Sequence, residues 1–105
     1  MDNSTILSEL RRILDDAFPE VVSRVILFGS QAAGTANEDA DFDVLVVTCR
    51  EIDWRLRNRI IDTCYQIDIR FDIVTDIKIL AESDLHTIKG RQPYVREALE
   101  TGIAA

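Results

Sequence analysis

The chain is poor in cysteine, in histidine and in basic residues, and it has no long apolar run. Each shortage excludes something. Its two cysteines, Cys49 and Cys64, show no metal-type spacing and sit in apolar surroundings, so both are expected to be reduced core thiols. No apolar stretch approaches the ~18 residues that a membrane-spanning helix needs. The start, MDNSTILSELRR, lacks a basic region followed by an apolar run, which predicts no signal peptide and a cytoplasmic protein. Lys and Arg number 12 against 19 Asp and Glu, a net charge of −7. That balance argues against direct nucleic-acid binding, which needs a basic face for phosphates. It does not exclude a small polyanionic substrate, because a bound metal supplies positive charge locally. Most of the carboxylates read as a solvated acidic surface.

What is present is enough for one small core. The 105 residues are 47% apolar and show no repeat, low-complexity run or linker, so a single domain over 1–105 is expected. Ser4-Thr5 followed by ILSELRRILDDAF predicts an amphipathic helix with Ile6, Leu10, Ile13, Leu14 and Phe18 on one face, closed by Pro19. Val21 to Phe28 reads as a buried strand. Ser30 is placed to cap a short helix through Ala32 and Ala33, stopped by Gly34. Asp43 to Thr48 reads as a second strand. From Asp53 to about Phe71, Leu56, Ile60, Cys64, Ile67 and Phe71 recur at helical spacing. A third strand is placed at Ile73 to Leu80, then a loop or short helix from Ser83, then a last helix opened by Pro93 and ended by Gly102. The order α-β-α-β-α-β-α predicts an α/β (α+β) fold, a small mixed sheet with helices packed on it.

The chemistry concentrates in "FGSQAAGTANEDADFDVLVV", residues 28–47. Strand alternation puts Asp41 and Asp43 on one side, about 6.6 Å apart along the backbone, and turns Phe42 to the core. Two neighbouring carboxylates repel, and each raises the other's pKa unless a cation lies between them. Hard oxygen ligands suit Mg²⁺ or Mn²⁺. Gly29 lets the backbone approach a phosphate, the strand-to-helix turn aims N–H groups at an anion, and Ser30 adds a hydroxyl donor. A Gly-Ser turn or an Asp-x-Asp alone is common. Gly-Ser, ten residues and Asp-x-Asp, with strands on both sides, is a more specific combination and is the apparatus of phosphoryl or nucleotidyl transfer.

That segment resembles the minimal nucleotidyltransferase (MNT) domain of the DNA polymerase beta-like superfamily, whose signature is GS, ten residues, then DxD. The likeness spans nearly the whole chain, including Gly34 and a tail, QPYVREALETGI, that is similar to the family's closing helix and final strand. It implies transfer of a nucleoside monophosphate from ATP or another nucleoside triphosphate to an acceptor hydroxyl, with release of pyrophosphate. It implies that Gly29 and Ser30 contact the triphosphate and that Asp41 and Asp43 bind two Mg²⁺ ions, or Mn²⁺. It also implies a third carboxylate on a later strand. Asp76, heading "DIKILAESDL", fits that pattern best; Asp72 is the alternative, and Asp68 reads as the solvated face of the preceding helix.

The chain departs from the family in one respect. Arginines often follow the Gly-Ser, where this chain has Gln31 and Ala33. Lys78, Lys89 and Arg91 are the candidates to replace that charge, against their reading as ordinary surface residues. His86 is expected on the surface, Trp54 and Tyr65 at core or interface positions, and "RLRNR" (55–59) on a wet helix face or against a partner. No extra domain to hold an acceptor is evident in the sequence. The resemblance therefore implies a HEPN-domain protein partner in a toxin–antitoxin pair, with AMP transferred to a tyrosine. A binding module that blocks such a toxin without chemistry, nucleotidylation of a small molecule, and homodimerisation through an exposed helix face are the other readings.

Overall fold

The structure, a computed structural model, describes residues 3–34 and 41–105. Among the described residues, eight regular elements follow in order: α1 (Asn3–Ala17), β1 (Val22–Phe28), α2 (Gly29–Ala33), β2 (Phe42–Thr48), α3 (Trp54–Phe71), β3 (Thr75–Ala81), α4 (Pro93–Thr101) and β4 (Ile103–Ala104). Two 3₁₀ turns, Glu82–His86 and Ile88–Arg91, join β3 to α4.

These strands form one mixed sheet in the order β3-β2-β1-β4. β1 and β2 are antiparallel, β1 and β4 are antiparallel, and β2 and β3 are parallel. A parallel pair needs a crossover, and α3 supplies it. β4 is two residues long, and local propensity alone does not hold so short a strand. It forms because Gly102 ends α4 close enough for Ile103 and Ala104 to pair with Leu27 and Ile26.

Alternation in β1 and β2 sends apolar side chains to both faces. Val25, Leu27, Val44 and Val46 meet Leu7, Leu10 and Leu14 of α1 and Ile60, Cys64 and Ile67 of α3. Ile26, Phe28, Leu45, Val47 and Leu80 meet Val95 and Ala98 of α4 on the opposite face. Burying one such Leu or Ile side chain contributes about 1.5–3 kcal/mol, so the larger layer carries most of the stability. Glu9 on α1 pairs with Arg70 on α3 at 2.9 Å and with Arg12 of its own helix at 2.8 Å, an exposed link beside the apolar layer that packs the two helices.

Several expectations are adjusted by tertiary contacts. Cys64 is buried, but Cys49 is exposed just beyond β2 and is not a core thiol. β3 starts at Thr75, not Ile73, because Ile73 N–H still bonds to Asp68 C=O at the end of α3. Asp53 precedes α3 and caps it, its side chain accepting from Leu56 N–H at 2.9 Å. Trp54 and Tyr65 are 66% and 57% exposed, so neither is a core residue. α2 begins at Gly29 with no side-chain cap, so Ser30 lies inside the helix rather than capping it. Gly34 ends α2 in the left-handed conformation, as expected. Among the described residues, no helix is long and apolar enough to cross a membrane.

Candidate active site

Strand register brings the candidate residues together. Phe28, the last residue of β1, lies opposite Asp43 on β2. Asp43 in turn lies opposite Asp76 on β3. Gly29 directly follows Phe28, so the Gly-Ser turn, Asp43 and Asp76 form one row across three adjacent strands. Parallel pairing is what puts Asp43 and Asp76 at the same end of the sheet: both are near the start of their strands.

Gly29 is required twice. Its φ of +74° is a region that residues with a Cβ avoid, and a Cβ there would run into the Asp43 carboxylate oxygen Oδ2. The backbone turn and the carboxylate are therefore in direct apposition. Asp41 lies just outside β2 and is exposed, while Phe42 is buried in the α1/α3 layer, as the alternation predicts.

The register separates the three candidates for a third acid. Asp76 stands beside Asp43, with its side chain 45% exposed. Asp72 ends α3 in the left-handed conformation (φ 53°) and serves as its C-cap. Asp68 is neither a solvated bystander nor part of the row. Its carboxylate accepts from Thr75 Oγ1 at 2.7 Å and from Thr75 N–H at 3.3 Å. Asp68 thus ties the last turn of α3 to the first residue of β3 and helps set where Asp76 falls.

The electrostatics agree with this grouping. The Asp43 carboxyl is pushed above its ordinary range, first by burial, then by the negative charges of Asp76, Asp41 and Glu97; the Lys78 ammonium opposes them. Glu97, on α4, is a neighbour that the motif did not announce. Its position two residues after the buried Val95 and one before the buried Ala98 is the only local clue, and only the packing of α4 over the Phe28 face turns it toward the row. Phe28 and Tyr94 stack at 6.2 Å between ring centroids and pin that packing. The carboxylates are adjacent, not convergent: among the described residues, no three acidic, His or Cys side chains enclose a metal-sized point. Their chemistry nevertheless suits a hard divalent cation, since every donor is a carboxylate oxygen and Asp43 feels a repulsion that Lys78 offsets only in part and a cation would relieve.

The candidate replacements for the family's arginines separate. Lys78 lies on the same face as Asp76, with Nζ 3.6 Å from Asp76 Oδ1. Lys89 pairs with Asp84 at 3.8 Å in the 3₁₀ region. Arg91 is exposed at the start of a shallow groove it shares with Arg96, Glu97 and Glu100. His86 is exposed in a 3₁₀ turn. A cavity of about 560 Å³, lined by Thr48, Trp54, Arg57, Leu80 and Tyr94 among others, lies at the far ends of β2 and β3, away from the carboxylate row.

A model of the nucleotidyltransferase domain matches residues 7–100. The chain belongs to the nucleotidyltransferase-domain family. Among curated relatives of this nucleotidyltransferase domain is a provisionally named protein adenylyltransferase of Methanocaldococcus jannaschii. It is 26% identical over 102 residues, covering 97% of this chain and 96% of that one. Among solved structures, a provisionally named minimal nucleotidyltransferase matches with a TM-score of 0.61 at 24% identity, over 98% of this chain and 95% of that one. A toxin–antitoxin complex with AMP-PNP matches with a TM-score of 0.66 at 18% identity, over 92% and 69%. A complex of a tri-AMPylated Shewanella oneidensis HEPN toxin with its MNT antitoxin matches with a TM-score of 0.59 at 16% identity, over 96% and 69%. This nucleotidyltransferase domain has the minimal, polymerase beta-like form of the fold.

Proposed function

We propose that this chain is a metal-dependent nucleotidyltransferase that moves AMP from ATP to a hydroxyl of a HEPN-domain partner, as the antitoxin of a toxin–antitoxin pair. The observation that carries the reading is the row itself: the Gly29 turn in contact with Asp43, and Asp43 beside Asp76. The fold shared with an MNT antitoxin bound to an AMPylated HEPN toxin supports the nucleotide and the partner.

In this reading Gly29 and Ser30 hold the triphosphate at the end of β1. Asp41, Asp43 and Asp76 would hold the Mg²⁺ or Mn²⁺, two ions in the family's form, which neutralise phosphate charge when bound. Asp76, on the outer strand, accepts the proton of the acceptor hydroxyl. The freed oxygen lone pair forms a bond to the α-phosphorus, the bond from that phosphorus to the bridging oxygen breaks, and pyrophosphate leaves with the electron pair. Positioning and charge stabilisation supply the rate, as in other phosphoryl-group transfers.

One observation favours a second reading, a module that blocks the toxin by binding. Gln31 and Ala33 stand where the family often carries arginines, and the nearest lysine, Lys78, is paired with Asp76. Titration of the protein and its Asp41→Asn/Asp43→Asn variant with ATP, with and without Mg²⁺, together with toxin neutralisation on co-expression, separates the two. Transfer requires Mg²⁺-dependent binding and neutralisation that are both lost in the variant. Full neutralisation by the variant would leave only occlusion.

A further inference from the structure

Lys78 is one of two lysines in the chain, and its place is set by the same register that selects Asp76. In the run TDIKIL, alternation puts Asp76, Lys78 and Leu80 on one face of β3. Leu80 packs in the α4-side cluster, which identifies that face as the one carrying Asp43. Lys78 stands opposite Leu45, one pleat along from the Asp43–Asp76 pair. Its Nζ reaches back to 3.6 Å from Asp76 Oδ1, and its charge bears on Asp43 as well. With 43% of the side chain exposed, it is free to redirect.

Strand order then decides what this ammonium can touch. Gly29 and Ser30 follow β1, while Lys78 is on β3, with β2 between them. At about 4.8 Å per strand that separation is near 10 Å. In the reading above the triphosphate is held by the turn at the end of β1, with β2 between it and β3. In-line displacement places the attacking oxygen opposite the departing pyrophosphate, and so on the β3 side. Lys78 is therefore badly placed to replace an arginine on the triphosphate and well placed to face the attacking oxygen.

We propose that Lys78 is the acceptor-side cation of this site: it balances the carboxylate row when no metal is bound, and it stabilises the acceptor oxygen as that oxygen attacks the α-phosphorus. This rests on the nucleotidyltransferase reading above. Lys78 takes no part in the proton transfer. The acceptor's proton goes to Asp76, the new bond is oxygen to phosphorus, and the bond broken is the one to pyrophosphate.

The test compares wild type, Lys78→Met and Lys78→Arg in three titrations: Mn²⁺ alone, a non-hydrolysable ATP analogue with Mg²⁺, and ATP turnover to AMP and pyrophosphate with water standing in for the acceptor. Removing one positive charge beside the row is expected to tighten Mn²⁺ binding by about five- to tenfold. Analogue affinity stays within about twofold of wild type, and turnover falls by about tenfold or more, the usual scale for losing one transition-state charge partner. Lys78→Arg stays close to wild type in all three. The opposite signs matter, because a residue needed only for folding would weaken everything together. Weaker or unchanged Mn²⁺ binding in Lys78→Met overturns the proposal. So does a loss of analogue affinity, which would make Lys78 a triphosphate contact. Failure of the wild type to bind either probe would instead remove the nucleotide site itself, and the proposal with it.

Discussion

The α-carbon of Gly29 lies against the carboxylate of Asp43, so closely that a Cβ at position 29 would collide with Asp43 Oδ2. The contact joins the end of one strand to the start of its antiparallel neighbour and fixes both halves of the site at once. Gly29→Ala is therefore expected to do two things. The left-handed φ of +74° costs about 1–2 kcal/mol for an L side chain. The displaced Asp43 should also abolish Mg²⁺-dependent ATP binding. Thermal melting and calorimetric titration read the two effects separately; unchanged ATP affinity in a folded Gly29→Ala variant would contradict the assignment of the turn.

Asp43 also predicts a pH dependence. Its carboxyl is raised, chiefly by burial and then by Asp76, Asp41 and Glu97. Between the ordinary and the raised value the native state holds more protons than the unfolded chain, so stability falls as pH rises through that window. Ionised Asp43 thus destabilises the metal-free protein at neutral pH. Asp43→Asn should raise the melting temperature in EDTA near neutrality, and the gain should disappear below the ordinary carboxylate range. A lower melting temperature for Asp43→Asn at neutral pH would mean that the carboxylate has a favourable partner.

Three aspartates within nine residues should behave in three ways. Asp76→Asn is expected to abolish transfer while leaving the melt nearly unchanged, since the side chain is half exposed and its ion pair to Lys78 is long. Asp72→Asn keeps a residue type tolerated at a left-handed cap and should change neither activity nor stability. Asp68→Ala removes two hydrogen bonds to Thr75 and should cost about 1–3 kcal/mol. Denaturant melts alongside AMP-transfer assays sort the three. Transfer surviving in Asp76→Asn but not in Asp72→Asn would reverse the assignment.

The cysteines make a contrast that a thiol reagent can read. Cys49 is exposed and should react in the native protein. Cys64 is buried, and burial, helped by the charge of Asp68, pushes its thiol up to about 12. It should react only on unfolding. Because the unfolded chain loses this proton at an ordinary thiol value and the native chain does not, stability should decline as pH rises from about 9.0 toward about 12, by at most ~1.4 kcal/mol per pH unit. Equal labelling of both thiols in native protein would show that the α1/α3 layer opens readily.

The sequence alone determined the elements that local periodicity and turn chemistry control. These are the amphipathic stripes of α1 and α3, the apolar strands β1 and β2, the breaks at Gly34 and Gly102, and the Gly-Ser and Asp-x-Asp spacing that named the family. The two-residue β4 has no local pattern to show, and the start of β3 is set by bonds to Asp68 seven residues upstream. The sequence favoured Asp76 over Asp72 and Asp68 by pattern only; the parallel register is what puts Asp76, and neither of the others, beside Asp43. Tertiary structure alone decided that Glu97 and Lys78 bear on the site, since neither is near the motif in sequence and both reach it through the packing of other elements. Spacing along a chain fixes which side chains share a face. Which faces meet depends on strand order and helix crossover, and those are settled by burying the whole apolar surface at once.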